Sequence, residues 1–176
     1  MPLATYDPTD GHVLIFGDLE NAPNAVLLRD RSGSTVILNA PTGDSLQLAI
    51  GSTSQFIVGT TGFGYPTGVG GAVTQITSRT TGVTLSTVTG TITTNTASLA
   101  AEATADFVVT NTRVAVGDVV AVSVQSGTNG GGTIVSVSVV AAGSFTIRVH
   151  NGNVAAGTAE TGAILINFAV IKAVSA

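Results

Sequence analysis

The chain has 176 residues, a formal net charge of −4, no cysteine, and charged side chains at only 9% of its positions. The lack of Cys excludes a disulfide framework and a thiolate metal site. The small acidic charge argues against binding along a nucleic-acid backbone, which needs clustered Lys and Arg to displace counterions. We therefore expect a surface made largely of Ser, Thr, Asn, Gln and Gly, and no nucleic-acid partner.

Apolar residues make up 44% of the chain, yet they do not form a membrane-spanning pattern. The richest run, from Ala163 to Ala173, is interrupted by Asn167 and Lys172 and is shorter than the roughly 20 residues of a spanning helix. The N-terminal residues also lack the basic and apolar regions of a signal peptide. The sequence therefore predicts a soluble protein with no membrane partner.

The chain changes character at the stretch from Gly68 to Val83, which reads GVGGAVTQITSRTTGV. Before this stretch lie short apolar runs, and after it Val, Thr, Ala, Ser and Gly alternate in the manner of a pleated sheet. We predict two parts, residues 1–67 and residues 68–176. The glycines between Gly62 and Gly71 lack the G-x-G-x-x-G spacing, and no helix pattern follows, which argues against a dinucleotide site.

The N-terminal part is predicted to be an extended arm over residues 1–24 that continues into a meander of short strands. Its apolar runs are separated by Gly, Pro and Asp turns, and they are Val13 to Phe16, Ala25 to Leu28, Thr35 to Leu38, Leu46 to Ile50 and Phe56 to Val58. Such short strands bury too little surface to offset the entropy of ordering them, so we expect this part to pack on another chain. Six of the ten carboxylates precede residue 60, which fits either a docking surface for a basic partner or ordinary solubilising turns.

The C-terminal part is predicted to be an all-β, jelly-roll-like β-sandwich. Strands of period two recur with turns at intervals of about eight to twelve residues. In the strand Phe145 to His150, Phe, Ile and Val share one face while Thr, Arg and His share the other. The runs Val119 to Val124 and Ile134 to Val140 are predicted to be buried strands.

The last predicted strand, Ile164 to Lys172, is apolar on both faces. This pattern is typical of a central strand or of one covered by a neighbour. We assign it to the core and to the trimer contact through Ile166, Phe168, Val170 and Ile171.

Residues able to carry chemistry are few. His12 and His150 have no acidic or Cys neighbours at ligand spacing, so no metal site is predicted, and His150 is assigned to a solvated sheet face. Asp106 and Asp118 are either a pair of catalytic carboxylates or, as turn and strand-edge chemistry already explains, structural residues. We predict no catalytic residue, no cofactor and no enzymatic activity.

Three ordered blocks resemble a β-domain of virion proteins of tailed bacteriophages. They are Gly70 to Val83, Ala142 to Ile147 (AGSFTI) and Ile166 to Ala173 (INFAVIKA). The resemblance covers residues 70–173. It implies a virion surface component, usually trimeric, of the kind found in capsid decoration (cement) proteins, head fibres and tail fibre tips.

The short acidic arm followed by one compact β-domain favours a capsid clamp, because a fibre needs a long stalk. We expect a homotrimeric cement protein on the outer capsid surface with the major capsid protein as partner. Its predicted capsid-binding residues are Val13, Leu14, Ile15, Phe16, Val26, Leu27 and Leu28. The alternatives are a head or tail fibre tip that binds a host receptor or glycan and, in third place, a phage hydrolase.

Overall fold

The computed structural model describes residues 4–6, 13–15, 27–29, 36–38, 43, 45–50, 53–129, 131–154 and 158–173. The chain divides into two compact units, residues 1–66 and residues 67–176. Every regular element in the described residues is a strand, which confirms the predicted all-β class. Within these residues there is no helix with the length and apolarity that crossing a membrane requires.

The described strands of the first unit are β1 (Ala4–Tyr6), β2 (Val13–Ile15), β3 (Leu27–Arg29), β4 (Val36–Leu38), β5 (Leu46–Ile50), β6 (Thr53–Gly59) and β7 (Gly62–Gly64). Those of the second unit are β8 (Gly70–Thr74), β9 (Val83–Thr84), β10 (Thr89–Thr93), β11 (Thr104–Thr110), β12 (Val119–Ser126), β13 (Thr133–Ala141), β14 (Ser144–Asn151) and β15 (Leu165–Ile171).

The first unit consists of small antiparallel ladders. Strand β1 pairs with β2, β3 pairs with β4, and β5, β6 and β7 form a three-stranded sheet. The predicted single extended arm instead folds back on itself, with Ala4 opposite Ile15, because pairing satisfies backbone groups that an isolated strand would leave open. In the three-stranded sheet the rings of Phe56 and Phe63 lie 5.9 Å apart, although Phe63 is 80% exposed.

The second unit is a sandwich of two four-stranded sheets, which confirms the predicted sandwich architecture. The strand orders are β8-β10-β15-β12 in one sheet and β9-β11-β14-β13 in the other. The pairs β8–β10 and β9–β11 are parallel and the remaining pairs are antiparallel. From β8 to β13 the chain changes sheet at every step, so neighbours in sequence face each other across the core.

The core lies between the two sheets and follows the period of two. In β14 the side chains of Phe145, Ile147 and Val149 are buried, while Thr146, Arg148 and His150 lie on the other face, as predicted. From the facing sheet Phe168 packs on Phe145, with ring centroids 5.3 Å apart. The other buried apolar side chains of this core include Ile92, Phe107, Val109, Ile164, Ile166 and Val170.

The structure confirms the position predicted for one strand and contradicts the burial predicted for two others. Strand β15 lies between β10 and β12, so the prediction of a central strand is confirmed. Strands β12 and β13, predicted to be buried, are edge strands whose Val119 and Ile134 are 57% and 59% exposed. The prediction of burial was wrong because alternating Val and Ser buries only one face of a strand.

Candidate interaction surface

The outer face of the β8-β10-β15-β12 sheet carries no charge. None of these four strands contains Asp, Glu, Lys, Arg or His. We call the outward side of this sheet the neutral face, and its central side chains are Ala72, Thr89, Thr91, Ala121, Ser123, Asn167 and Ala169. Protein surfaces usually intersperse charged residues of both signs, and these four strands lack them.

Small side chains make the neutral face concave. A shallow groove of about 550 Å³ crosses all four strands. On its floor the Thr91 hydroxyl donates a hydrogen bond of 2.9 Å to Asn167 Oδ1. Beneath it, a Cβ on Gly90 would lie 2.7 Å from the carbonyl oxygen of Gly71, so glycine at this position lets β8 and β10 pack closely.

One end of the neutral face is apolar. Val119 lies opposite Ile171 across the β12–β15 pair, and their exposed fractions are 57% and 56%. Val116, in the turn before β12, is 77% exposed. Of the residues predicted for the core or the trimer contact, Ile171 therefore lies on the neutral face, whereas Ile166, Phe168 and Val170 point into the core.

The outer face of the other sheet carries an ion pair, and we call it the charged face. Arg148 donates from Nε to Asp106 Oδ1 (2.8 Å) and from Nη2 to Oδ2 (2.7 Å). The hydrogen bond from Arg148 lowers the pKa of Asp106. Exposed Ile134, Val108 and Val139 flank the pair. His150, on the same face, is half-buried, and its Nδ1 has no hydrogen-bond partner within the described residues.

The structure does not bring Asp106 and Asp118 together as a catalytic pair. Asp118 is buried and accepts hydrogen bonds from the backbone N–H groups of Ala115 (2.8 Å) and Ala173 (3.1 Å), and from Lys172 Nζ. The bond from Lys172, followed by that from Ala115, lowers the pKa of Asp118 to about 2. Turn chemistry therefore accounts for Asp118, as predicted. The strand-edge explanation was wrong for Asp106, which lies within the central strand β11 and is held there by its ion pair with Arg148.

Sequence reasoning missed a buried ionic network at the end of the sandwich where β8 and β10 end. Arg79 is only 3% exposed and donates to Thr94 Oγ1 (3.1 Å) and to the carbonyl oxygens of Glu160 (3.2 Å) and Gly162 (2.9 Å). Burial lowers the pKa of Arg79 and outweighs the negative charge of Glu160, which acts to raise that pKa. The only sequence signal for this role is the position of Arg79 inside the Gly68 to Val83 stretch.

The carboxylate of Glu160 is the second centre of this network. Glu160 is fully buried and accepts hydrogen bonds from the Thr133 hydroxyl and from the N–H groups of Asn129 (3.2 Å) and Gly162 (2.7 Å). Burial acts to raise the pKa of Glu160, but these hydrogen bonds outweigh it and lower the pKa. Since Arg79 and Glu160 direct their polar groups at loop backbone, the network ties loops together and presents no reactive group to a substrate.

Among the described residues no group of three or more His, Cys, Asp or Glu side chains is placed to hold a metal ion. Of the predicted capsid-binding residues, Val13, Leu14 and Ile15 form β2, and Leu27 and Leu28 lie in β3. Phe16 and Val26 lie outside the described residues.

Comparison of the chain with protein-family models, with curated proteins and with solved structures finds no match.

Proposed function

We propose that this chain is a structural protein of a bacteriophage virion, a capsid decoration (cement) protein that binds the outer capsid surface as a homotrimer. In this proposal residues 67–176 form a jelly-roll-like knob, and the first unit attaches to the major capsid protein. The attachment would add short strands to capsid edges, a mode in which main-chain hydrogen bonds supply affinity. A trimer matches sites where three capsomers meet.

The division of charge between the two units carries this proposal. Residues 1–66 contain six carboxylates and two arginines, whereas residues 67–176 contain four carboxylates and four Lys or Arg residues. Acidic charge in the first unit suits a basic surface on another protein, while a neutral knob can approach its own copies without repulsion. This separation supports two roles, attachment and self-association.

A fibre tip that binds a host receptor or glycan is the alternative. It is favoured by the groove on the neutral face, where the hydroxyls of Thr89, Thr91 and Ser123 and the amide of Asn167 offer neutral polar contacts. A sugar site usually adds an aromatic platform, and the one aromatic residue that lines this part of the described structure, Phe168, has its ring buried in the core. A hydrolase is less well supported, because Asp106, Asp118 and Glu160 are each held in internal hydrogen bonds.

The copy number per virion separates cement from fibre. A cement protein covers the whole capsid lattice, so quantitative gel staining of purified virions should give on the order of hundreds of copies, whereas a fibre gives tens or fewer. The low number would overturn the cement proposal and favour the fibre tip.

A truncation tests the role of the first unit. We expect deletion of residues 1–30 to abolish binding to capsids stripped of this protein, while the sandwich stays folded by circular dichroism. Full-length protein is the control. Capsid binding that is unchanged by the deletion would contradict attachment through this segment.

A further inference from the structure

We infer that the neutral face is the surface on which copies of this chain pack against one another. This inference rests on the homotrimer of the proposed function and assigns it a location: the outward sides of β8, β10, β15 and β12, including the apolar end formed by Val119 and Ile171. The occupant is a second copy of this chain.

Charge selects this occupant. The net charge of −4 lies entirely in residues 1–66, whereas residues 67–176 hold four carboxylates and four Lys or Arg residues, so two copies of the second unit meet without net repulsion. The four strands of the neutral face have no charged residue of either sign. Such a face offers an acidic or basic foreign partner no electrostatic recognition, whereas it brings no like charges together when it meets a second copy.

The chemistry of the neutral face also matches itself. The hydroxyls of Ser123 and Thr91 and the amide of Asn167 can each donate and accept hydrogen bonds, so the same groups on a second copy are suitable partners. Ala121 and Ala169 lie opposite each other in the centre and leave room for close approach of another backbone. Val119 and Ile171 add apolar surface, of which more than half is exposed.

The charged face is a poorer contact surface, although Ile134, Val108 and Val139 are exposed there. Covering it would remove water from Asp106 and Arg148, whose side chains are 39% and 48% exposed. The desolvation penalty of such a pair can exceed its Coulombic gain. The neutral face has no corresponding penalty.

Two matched substitutions test the inference in the full-length chain. Ala121→Glu places a carboxylate on the neutral face in β12, opposite Ala169, and Ser136→Glu places the same charge on the other sheet, opposite Arg148. Both positions are exposed and lie in edge strands. By light scattering coupled to size exclusion, we expect trimers for the wild type and Ser136→Glu. For Ala121→Glu we expect monomers, or an association constant at least about tenfold weaker, since burying an unpaired charge opposes binding.

A second variant guards against misfolding. Asn167→Asp keeps the shape of the side chain and can still accept the hydrogen bond from Thr91, so the melting temperature of the isolated subunit should not fall. The substitution adds a negative charge to the neutral face, so it should weaken the trimer. Trimers that persist in both face variants would overturn the inference, as would a monomeric wild type. The copy number in virions is an independent readout: a low number together with a face-dependent trimer would contradict the cement function and leave this inference standing.

Discussion

The two ends of the sandwich both use a carboxylate to hold loops, but they do so in different ways. Glu160 precedes β15, whereas Asp118 accepts hydrogen bonds from Lys172 and Ala173, which follow β15. The two carboxylates therefore lie at opposite ends of that strand. At the Glu160 end, Arg79 is 3% exposed and Glu160 is fully buried. At the Asp118 end, the carboxylate is buried, but the side chain of Lys172 above it is 55% exposed.

This difference shows how charge can be placed in a chain with few charged residues. At the Glu160 end each charged group is satisfied mainly by neutral loop dipoles, which fix the geometry and exclude water. At the Asp118 end the carboxylate is shared between backbone N–H groups and a cation in contact with solvent. We expect the first arrangement to dominate stability and the second to dominate the response to acid.

Removing the guanidinium of Arg79 should have the largest effect. Arg79→Met leaves the carbonyl oxygens of Glu160 and Gly162 without their donor in a buried site. We expect a loss of about 3 kcal/mol in the free energy of unfolding, measured by urea denaturation. The exposed Arg113→Met variant is the matched control and should change little. Equal losses in the two variants would show that the Arg79 contacts add nothing.

Neutralising Glu160 should have the next largest effect. In Glu160→Gln an amide group takes the place of one acceptor oxygen, although Thr133, Asn129 and Gly162 all donate to this carboxylate. We expect a loss of about 2 kcal/mol and faster hydrogen exchange at the amides of Asn129 and Gly162. Glu102→Gln, at an exposed carboxylate, is the control. Unchanged exchange at both amides would contradict this account.

The titration of Asp118 should account for part of the loss of folding stability at low pH. Its pKa is lowered from 3.8 to about 2 in the folded chain. Because the folded pKa is depressed, the contribution to stability is complete above about pH 4 and is lost as the pH falls through about 2. Asp118→Asn should therefore melt below the wild type at pH 5, with a gap that narrows towards pH 2. A gap that is constant over this range would exclude the titration of Asp118 as its cause.

The ion pair on the charged face should matter least. Asp106 and Arg148 are both well exposed, so water and salt screen their attraction. Asp106→Asn should shift the melting temperature by a few degrees at most, and the shift should vanish at high salt. A loss of stability comparable to that of Arg79→Met would mean that solvent exposure does not determine how much the charged groups at the Glu160 end, at the Asp118 end and on the charged face contribute to stability.

The sequence pattern within each strand predicted the strands, but it did not predict contacts between loops that are distant in the chain. The alternation in β14 specified both of its faces, and the double apolar pattern of β15 specified its central place, because side-chain period is a local property. Arg79 and Glu160 are 81 residues apart in sequence. Nothing in either neighbourhood signals that the fold brings them together.

The neutral face was only partly visible in the sequence. The apolar pattern on both faces of β15 assigned Ile171 to the core and the trimer contact, and the structure places this residue on the neutral face. The face itself, however, is assembled from β8, β10, β12 and β15, which come from separate parts of the chain. Their order in the sheet is set by hydrogen-bonded pairing between strands that are distant in the chain, which the sequence pattern of each strand does not encode.

The position of β15 also governs how the sandwich can be made. Strand β10 pairs with β15 through Ile92 and Ile166, and β12 pairs with the other side of the same strand. A nascent chain that has not yet synthesised β15 therefore holds two strands with open edges, which are prone to pair with other chains. Closing such long loops is slow, with folding times of milliseconds to seconds typical of sheets with distant pairings. Assembly of the sandwich is thus expected to wait for β15, and the concentration of nascent chains, rather than the strength of the core, would limit the yield of folded protein.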